Sequence, residues 1–261
     1  MGSVNLDLNR RFVGIKENVL FGVANGGQCL SFTLLVSYLT YFYVNIFNID
    51  PKIVATMLFI EGIWDTVNDP LMGTIVDRTR TRIGKLRPYL LGIPIPMAIA
   101  TILFFAGPFL ITNPSPTAPS KVIYMIVTYF TWEFLYTISD VPFWGMAASI
   151  SPNPADRTRA ITSARLISGI ISGAPGIMIP ILIDLTENGI IRAEIKNIFF
   201  ITGVSCGVIG MGLFILSGIF VKERVAQSLD APKLIDCYKC ITKNPPLKII
   251  ILQNLLGALG G

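Results

Sequence analysis

Six long apolar runs dominate the sequence, and a seventh begins near its end. The runs lie at roughly residues 18–45, 52–76, 88–111, 121–149, 160–184 and 196–221, and the seventh begins near Leu247. A helix that crosses the hydrocarbon core of a bilayer needs ~20 predominantly apolar residues. Only 14% of the 261 residues are charged, whereas a soluble domain carries about 25%. We therefore predict an all-α integral membrane protein whose chain stops inside a seventh helix.

The distribution of basic residues predicts how these helices are oriented. If the N-terminus is cytoplasmic, sixteen of the 21 lysines and arginines lie in cytoplasmic segments and four lie in external ones. Cytoplasmic loops generally carry such an excess of basic residues. We therefore expect a plasma (inner) membrane protein with a cytoplasmic N-terminus. Topology also accounts for the net charge of +5, so we expect the lipid bilayer, and no nucleic acid, as a partner.

The longest polar stretch divides the chain into three parts. Residues 1–221 form the predicted six-helix bundle, residues 222–246 form a cytoplasmic linker, and residues 247–261 begin helix 7 of a second bundle. Duplicated helical bundles with a binding site between them are common in secondary transporters. The chain has no histidine, and no pairing of a nucleophile with a base is visible. We therefore expect no enzyme and no cofactor.

Six ionisable residues lie inside the predicted spans, where each costs roughly 2.5–3.5 kcal/mol on insertion scales. They are Glu61, Asp65 and Asp69 on the second run, Glu133 and Asp140 on the fourth, and Arg165 on the fifth. Asp65 and Asp69 are four residues apart, so their like charges lie on one helix face. A monovalent cation or a proton would relieve the repulsion, and Asn68 offers a further oxygen ligand. The alternative is an internal salt bridge from this acidic face to Arg165.

Asp140, Trp144 and Arg165 indicate a different kind of site. A carboxylate and a guanidinium can each make paired hydrogen bonds to neighbouring hydroxyls of a sugar, and an indole offers a flat face for its ring. The alternative is that Trp144 and Arg165 are packing and interface residues.

Several motifs resemble those of one transporter family. The stretch GIWDTVNDPLMGTIVDRTRTRIGKLRPYLLG runs from Gly62 to Gly92, and YLTYFY, YTISDVPFW and ADRTRAITSARL occur in the first, fourth and fifth spans. Together they resemble the glycoside-pentoside-hexuronide cation symporters of the major facilitator superfamily, typified by melibiose permease. The resemblance implies a six-helix N-terminal bundle and coupling of Na+ or H+ entry to uptake of a sugar or glycoside.

The resemblance also implies which residues form the sites. The cation site would contain Asp65, Asn68, Asp69 and Thr137, with the two aspartates as ligands for Na+. The sugar site would contain Tyr136, Asp140, Trp144 and Arg165. Gln28, followed by Cys29, stands where the family has an acidic residue that contacts sugar, so Gln28 is a candidate substrate ligand. Glu133 replaces a glycine of the permease, and Gly62 replaces an arginine.

The loop after the second span is similar to the cytoplasmic loop motif of the superfamily. Gly73, Asp77 and Arg78 would act as a conformational latch between the bundles. The alternative is that the basic residues of this loop only set the orientation of the helices in the membrane. A lysolipid-type transporter and a non-transporting membrane sensor are the alternatives to a sugar symporter. Because the family's site lies between two bundles, we expect that the chain does not transport without the missing C-terminal half.

Overall fold

The computed structural model describes residues 11–225, except the side chains of Thr66 and Val67. The predicted seventh helix and most of the predicted linker, including Cys237 and Cys240, lie outside these residues. The described chain is built from helices. They are α1 (Ile15–Tyr41), which continues as a π-helical turn (Phe42–Ile46), α2 (Pro51–Arg78), α3 (Arg87–Gly92), α4 (Pro94–Leu110), α5 (Pro119–Ser149), α6 (Pro154–Ser172), α7 (Ala174–Glu187) and α8 (Ile195–Phe220).

Four helical segments are long and apolar enough to cross a membrane, namely Ile15–Ile46, Pro119–Ser149, Pro154–Glu187 and Ile195–Phe220. The other two predicted crossings differ for physical reasons. α2 has 28 residues, but Glu61, Asp65 and Asp69 lower its hydropathy. The third crossing is divided before Pro94, which has no backbone N–H to continue α3. α4 by itself therefore has only 17 residues.

Small residues bring α1 close to its neighbours. A Cβ atom added at Gly22 or Gly26 of α1 would overlap Ile167 or Ile171 of α6. Gly27 and Gly210 face each other across α1 and α8, and a Cβ on either would overlap the other's carbonyl oxygen. Small residues allow this approach between membrane helices. α1 is thus held between α6 and α8.

Aromatic rings join α1 to α5 on another face of α1. Phe21 stacks on Phe143 with ring centroids 4.3 Å apart, and Phe32 stacks on Tyr136 at 4.7 Å. Phe42 and Phe105 belong to a further buried aromatic cluster, with centroids 5.1 Å apart. This packing fixes the rotation of α5 about its axis, and so decides which of its polar side chains face α1 and α2.

Buried and half-buried carboxylates tie the helix ends together at the end of the bundle where α1, α3 and α6 begin, which we call the basic end. Glu223 accepts hydrogen bonds from the backbone N–H groups of Lys85, Leu86 and Arg87, the closest at 2.9 Å from Leu86. Gly84 has a positive φ of 122° and lies so close to Glu223 that a side chain there would overlap it. Glu223 therefore caps α3, which is far from it in sequence.

A second carboxylate at the basic end holds the chain that follows α8. Both Glu17 oxygens accept hydrogen bonds from the Arg224 guanidinium at 2.8 Å. The hydrogen bonds that Arg224 donates to Glu17 raise the pKa of Arg224. Arg224 also donates to the carbonyl oxygen of Ile150 at 3.1 Å. The beginning of α1, the end of α5 and the end of α8 therefore meet at one point.

Candidate functional site

Three carboxylates meet between α2 and α5. One oxygen from each of Glu61, Asp65 and Glu133 lies within 4.8 Å of the other two. Only 6% of Glu133 is exposed, and Oδ1 of Asp65 is buried without a hydrogen-bond partner in the described chain. At an effective dielectric of ~20, two unit charges at this distance repel by about 3.5 kcal/mol. The cluster is therefore suited to a bound cation.

Local structure explains why these three side chains meet. Glu61 and Asp65 are four residues apart on α2, so they lie one above the other on one helix face. The indole of Trp64 packs edge-on against the Phe130 ring at a centroid distance of 6.3 Å. Phe130 lies three residues before Glu133 on α5, so this contact brings the two acidic faces together.

An amide and a hydroxyl lie one turn further along the same two helices. The Nδ2 of Asn68 donates to Oγ1 of Thr137 at 3.0 Å, and both side chains are buried. The Thr137 hydroxyl in turn donates to the carbonyl oxygen of Glu133 at 3.2 Å. These bonds direct the amide oxygen of Asn68 away from Thr137 and leave it able to bind a cation. The structure thus brings together two of the predicted cation ligands, Asn68 and Thr137.

The remaining predicted ligand, Asp69, has a different environment. Asp69 is exposed and lies one turn beyond Asp65 on the same face of α2, whereas oxygens of Glu61 and Glu133 lie within 4.8 Å of an Asp65 oxygen. The sequence marked both glutamates as ionisable residues inside spans but assigned neither to the cation site. The four-residue spacing of Glu61 and Asp65 was the available signal for Glu61. For Glu133 the packing of α2 against α5 had to be known.

Gln28 links α1 to the polar face of α5. The side chain of Gln28 is fully buried, and its Nε2 donates to Oγ of Ser139 at 3.1 Å and to Oδ1 of Asp140 at 3.2 Å. Its Oε1 is buried without a partner in the described residues. Gln28 therefore orients Asp140 and retains a free acceptor. Ser139, which the sequence did not single out, completes this arrangement.

Arg165 stacks on an aromatic ring and forms no ion pair with any residue that the structure describes. Its guanidinium carbon lies 4.3 Å from the centroid of the Trp144 ring. Within residues 11–225, no carboxylate lies within the 4.0 Å ion-pair distance of Arg165, so the alternative of a salt bridge to the acidic face of α2 is not found there. Arg165 is exposed. Its charged group is thus available to a ligand while the indole holds it in place.

Tyr136, two turns before Trp144 on α5, lies in an aromatic stack. Its ring is 4.7 Å from that of Phe32 and 5.4 Å from that of Trp132, centroid to centroid. The predicted sugar-site residues Tyr136, Asp140 and Trp144 all belong to α5, and Arg165 of α6 contacts Trp144. The structure therefore brings Trp144 into contact with Arg165 and links Gln28 to Asp140.

The predicted latch residues lie near the end of α2. Asp77 forms an ion pair with Lys85 at 2.6 Å. Arg78 is exposed, and a Cβ atom added at Gly73 would meet no described atom within 4 Å. The Asp77–Lys85 pair joins the end of α2 to the turn before α3. The latch role of Gly73, Asp77 and Arg78 stays a prediction.

Comparison with known proteins identifies a family and several relatives of this chain. A family model described as "MFS/sugar transport protein" matches residues 20–261. The isoprimeverose transporter of Lactiplantibacillus pentosus is 29% identical over 97% of this chain and 52% of its own length. The inner membrane symporter YicJ of Escherichia coli is 27% identical over 95% of this chain and 52% of its own. The putative glycoside/cation symporter YagG of Escherichia coli is 34% identical over 55% of this chain and 30% of its own. The chain spans about half the length of the first two of these relatives.

Proposed function

Because the chain belongs to the MFS/sugar transport protein family, we propose that it forms the N-terminal bundle of a symporter that couples entry of Na+ or H+ to uptake of a sugar or glycoside. The observation that carries this proposal is the composition of α5. This one helix supplies Glu133 and Thr137 to the acidic cluster and Asp140 and Trp144 to the sugar-site candidates. The two groups lie within about three turns of each other.

The carboxylate cluster between α2 and α5 supports the proposed binding of a cation. Glu61, Asp65 and Glu133 supply negative oxygens that are close enough to share one ion, and Asn68 with Thr137 supplies neutral ones. Hard cations such as Na+ favour such oxygen ligands. Each positive charge that enters gains ~2.3 kcal/mol per 100 mV of membrane potential. Cation entry can therefore drive uphill transport of a neutral sugar.

The proposed sugar site contains Asp140, Gln28 and the stacked pair of Arg165 and Trp144. The carboxylate accepts hydrogen bonds from sugar hydroxyls, and the guanidinium donates to sugar oxygens. Gln28 holds the Asp140 carboxylate in place through a hydrogen bond from its Nε2. The named relatives include an isoprimeverose transporter and a putative glycoside/cation symporter, which supports a glycoside as the substrate class.

Coupling follows from the shared helix. A cation bound at Glu133 and Thr137 would hold α5 against α2, and so present Asp140 and Trp144 to the sugar. We propose that the bundle lies in the plasma membrane with its basic end in the cytoplasm, and that a second six-helix bundle completes the cavity. The end of α2, which contains Asp77 and Arg78, would then contact the second bundle during alternating access.

Uptake into proteoliposomes tests the proposal. We would reconstitute the chain alone and together with a separately expressed C-terminal half, and measure uptake of labelled isoprimeverose with and without an inward Na+ or H+ gradient. We expect gradient-driven uptake only when both halves are present. Uptake of a labelled lysolipid and of no sugar would favour the lysolipid-type alternative. Cation binding without transport of either would favour a membrane sensor.

A further inference from the structure

A groove runs between the first turns of α1 and α6 at the basic end. It encloses about 410 Å³. Ile15, Asn18 and Val19 of α1 form one wall, and Thr162 and Leu166 of α6 contribute to the other. The groove lies at the ends of two membrane helices and does not include any residue of the cation or sugar sites.

The rim of the groove is positively charged. Arg11 and Arg159 line it from opposite sides. Arg11 uses its Nε to donate to the carbonyl oxygen of Val13 at 3.1 Å. The Arg159 side chain is 58% exposed and lies 3.8 Å from a carboxylate oxygen of Asp156. Within residues 11–225, most of the hydrogen-bonding capacity of both guanidinium groups is therefore unused.

Among the described residues, the acidic groups near the rim are Asp156 and Glu17, and both are already paired. Oδ2 of Asp156 accepts hydrogen bonds from the backbone N–H of Phe12 at 2.8 Å and from the Ser151 hydroxyl at 3.1 Å. Glu17, near the start of α1, is paired with Arg224. Both α1 and α6 also begin at this end, and the N-terminus of a helix carries a partial positive charge. The groove is thus suited to an anionic group.

The groove also contains a buried amide oxygen, that of Asn18. Asn18 lines the groove and is only 8% exposed, and its Oδ1 has no hydrogen-bond partner in the described chain. A buried acceptor without a donor is costly, so most such groups in folded proteins have a partner. A hydroxyl group that enters between the two helices would supply the missing donor.

An apolar track continues from the groove along the membrane helices. Val19 is 44% exposed, Leu166 is 66% exposed, and Ile170, one turn beyond Leu166, is 81% exposed. A free phosphate would use only the rim, whereas a lipid would also cover this track with an acyl chain. The positively charged rim is thus followed by an apolar surface, which matches a phospholipid, in which a charged headgroup is followed by acyl chains.

We propose that this groove binds an anionic phospholipid with a hydroxylated headgroup. The phosphate lies between Arg11 and Arg159, a headgroup hydroxyl donates to Asn18, and one acyl chain follows Val19, Leu166 and Ile170. Basic pockets between membrane helices are a recurrent means of binding lipid headgroups. The bound lipid would join α1 to α6 at the basic end.

The test is lipid binding to the purified 261-residue chain, measured by native mass spectrometry from detergent micelles. The micelles would contain dioleoyl phosphatidylglycerol, dioleoyl phosphatidic acid or dioleoyl phosphatidylcholine. We expect phosphatidylglycerol to be retained most strongly and phosphatidylcholine least. Replacing either arginine by glutamine should weaken phosphatidylglycerol binding about tenfold, the effect of losing one charge-assisted hydrogen bond. The variant Asn18→Leu should remove the preference for phosphatidylglycerol over phosphatidic acid.

Two further variants guard against general effects of charge and folding. Arg82→Gln removes an exposed arginine in the turn before α3 and should leave lipid binding unchanged. Leu166→Trp fills the exposed track without changing charge and should reduce retention of phosphatidylglycerol. Each variant should keep the thermal midpoint of the native chain.

Several results would overturn the proposal. Equal retention of phosphatidylglycerol and phosphatidylcholine would exclude an anionic lipid site. A preference that survives loss of both Arg11 and Arg159, or that is insensitive to Leu166→Trp, would place the lipid elsewhere. Full competition by inorganic phosphate would mean a soluble anion as the occupant. A chain dimer that covers the groove would replace the lipid by a second copy.

Discussion

Neutralising one buried acid of the cluster between α2 and α5 should stabilise the protein against unfolding when no cation is bound. An oxygen of each of Glu61, Asp65 and Glu133 lies within 4.8 Å of the others. Each ionised pair at that distance repels by about 3.5 kcal/mol at an effective dielectric of ~20. Glu133→Gln removes two of the three pairs, which sets a ceiling of about 7 kcal/mol.

The expected effect is smaller than this ceiling, because a proton taken up by the native cluster already relieves part of the repulsion. We expect Glu133→Gln to raise the free energy of unfolding without Na+ by on the order of 1–3 kcal/mol, the usual size of a single-residue effect. The same variant should lose its response to Na+. The native chain should gain about 2.7 kcal/mol at a Na+ concentration 100 times the dissociation constant.

The assay is thermal unfolding of the purified chain in micelles, followed by the fluorescence of its three tryptophans, in matched Na+ and choline solutions. Glu187→Gln provides the control, because Glu187 is exposed and outside the cluster. Asp69→Asn, at another exposed acid, should reduce the Na+ response less than Glu133→Gln does. If Glu133→Gln lowers the midpoint in choline and keeps the full Na+ response, the cluster is not the cation site.

The remaining predictions concern the sugar site, the basic end and topology. The substitution Gln28→Leu leaves Asp140 and Ser139 without their buried hydrogen-bond donor. It should therefore weaken sugar binding to the two assembled halves by roughly 1–3 kcal/mol. Equilibrium binding of labelled sugar measures this effect, and an unchanged affinity would show that Gln28 is not part of the site. Glu223→Ala should lower the thermal midpoint because α3 loses its capping carboxylate, at a cost of about 1–2 kcal/mol, whereas Glu194→Ala, in an exposed ion pair, should not. A cysteine placed at position 80 should resist an impermeant thiol reagent in intact cells; strong labelling from outside would refute a cytoplasmic basic end.

Sequence reasoning predicted the helices well because their signal is local. Apolar runs of membrane-spanning length and the prolines that begin helices can be read from neighbouring residues, and the predicted runs agree with the helices to within a few residues. The main difference is that two of the predicted runs are each divided into two helices. The third run is divided at Pro94 into α3 and α4, and the fifth is divided into α6 and α7. The breaks occur at Pro94 and at Gly173, residue types that favour the end of a helix.

The site was predicted only in part, because its two groups depend on different kinds of information. The four-residue spacing on α2 placed Asp65 with Asp69, since both lie on one face of a single helix. The structure also gathers Glu61 and Glu133 around Asp65, and Asp69 is exposed. Helical spacing cannot say which face of α2 meets α5.

The sequence by itself determined the all-helical membrane architecture, the family and the list of ionisable residues inside the helices. These follow from the composition of short segments, because a bilayer demands ~20 apolar residues in each crossing and makes each buried charge costly. Only the tertiary structure decided that Gln28 bonds to Asp140, that Arg165 stacks on Trp144, and that three carboxylates share one space. Each of these contacts joins different helices, and their rotation depends on close packing at glycines such as Gly27 and Gly210, which no local pattern specifies.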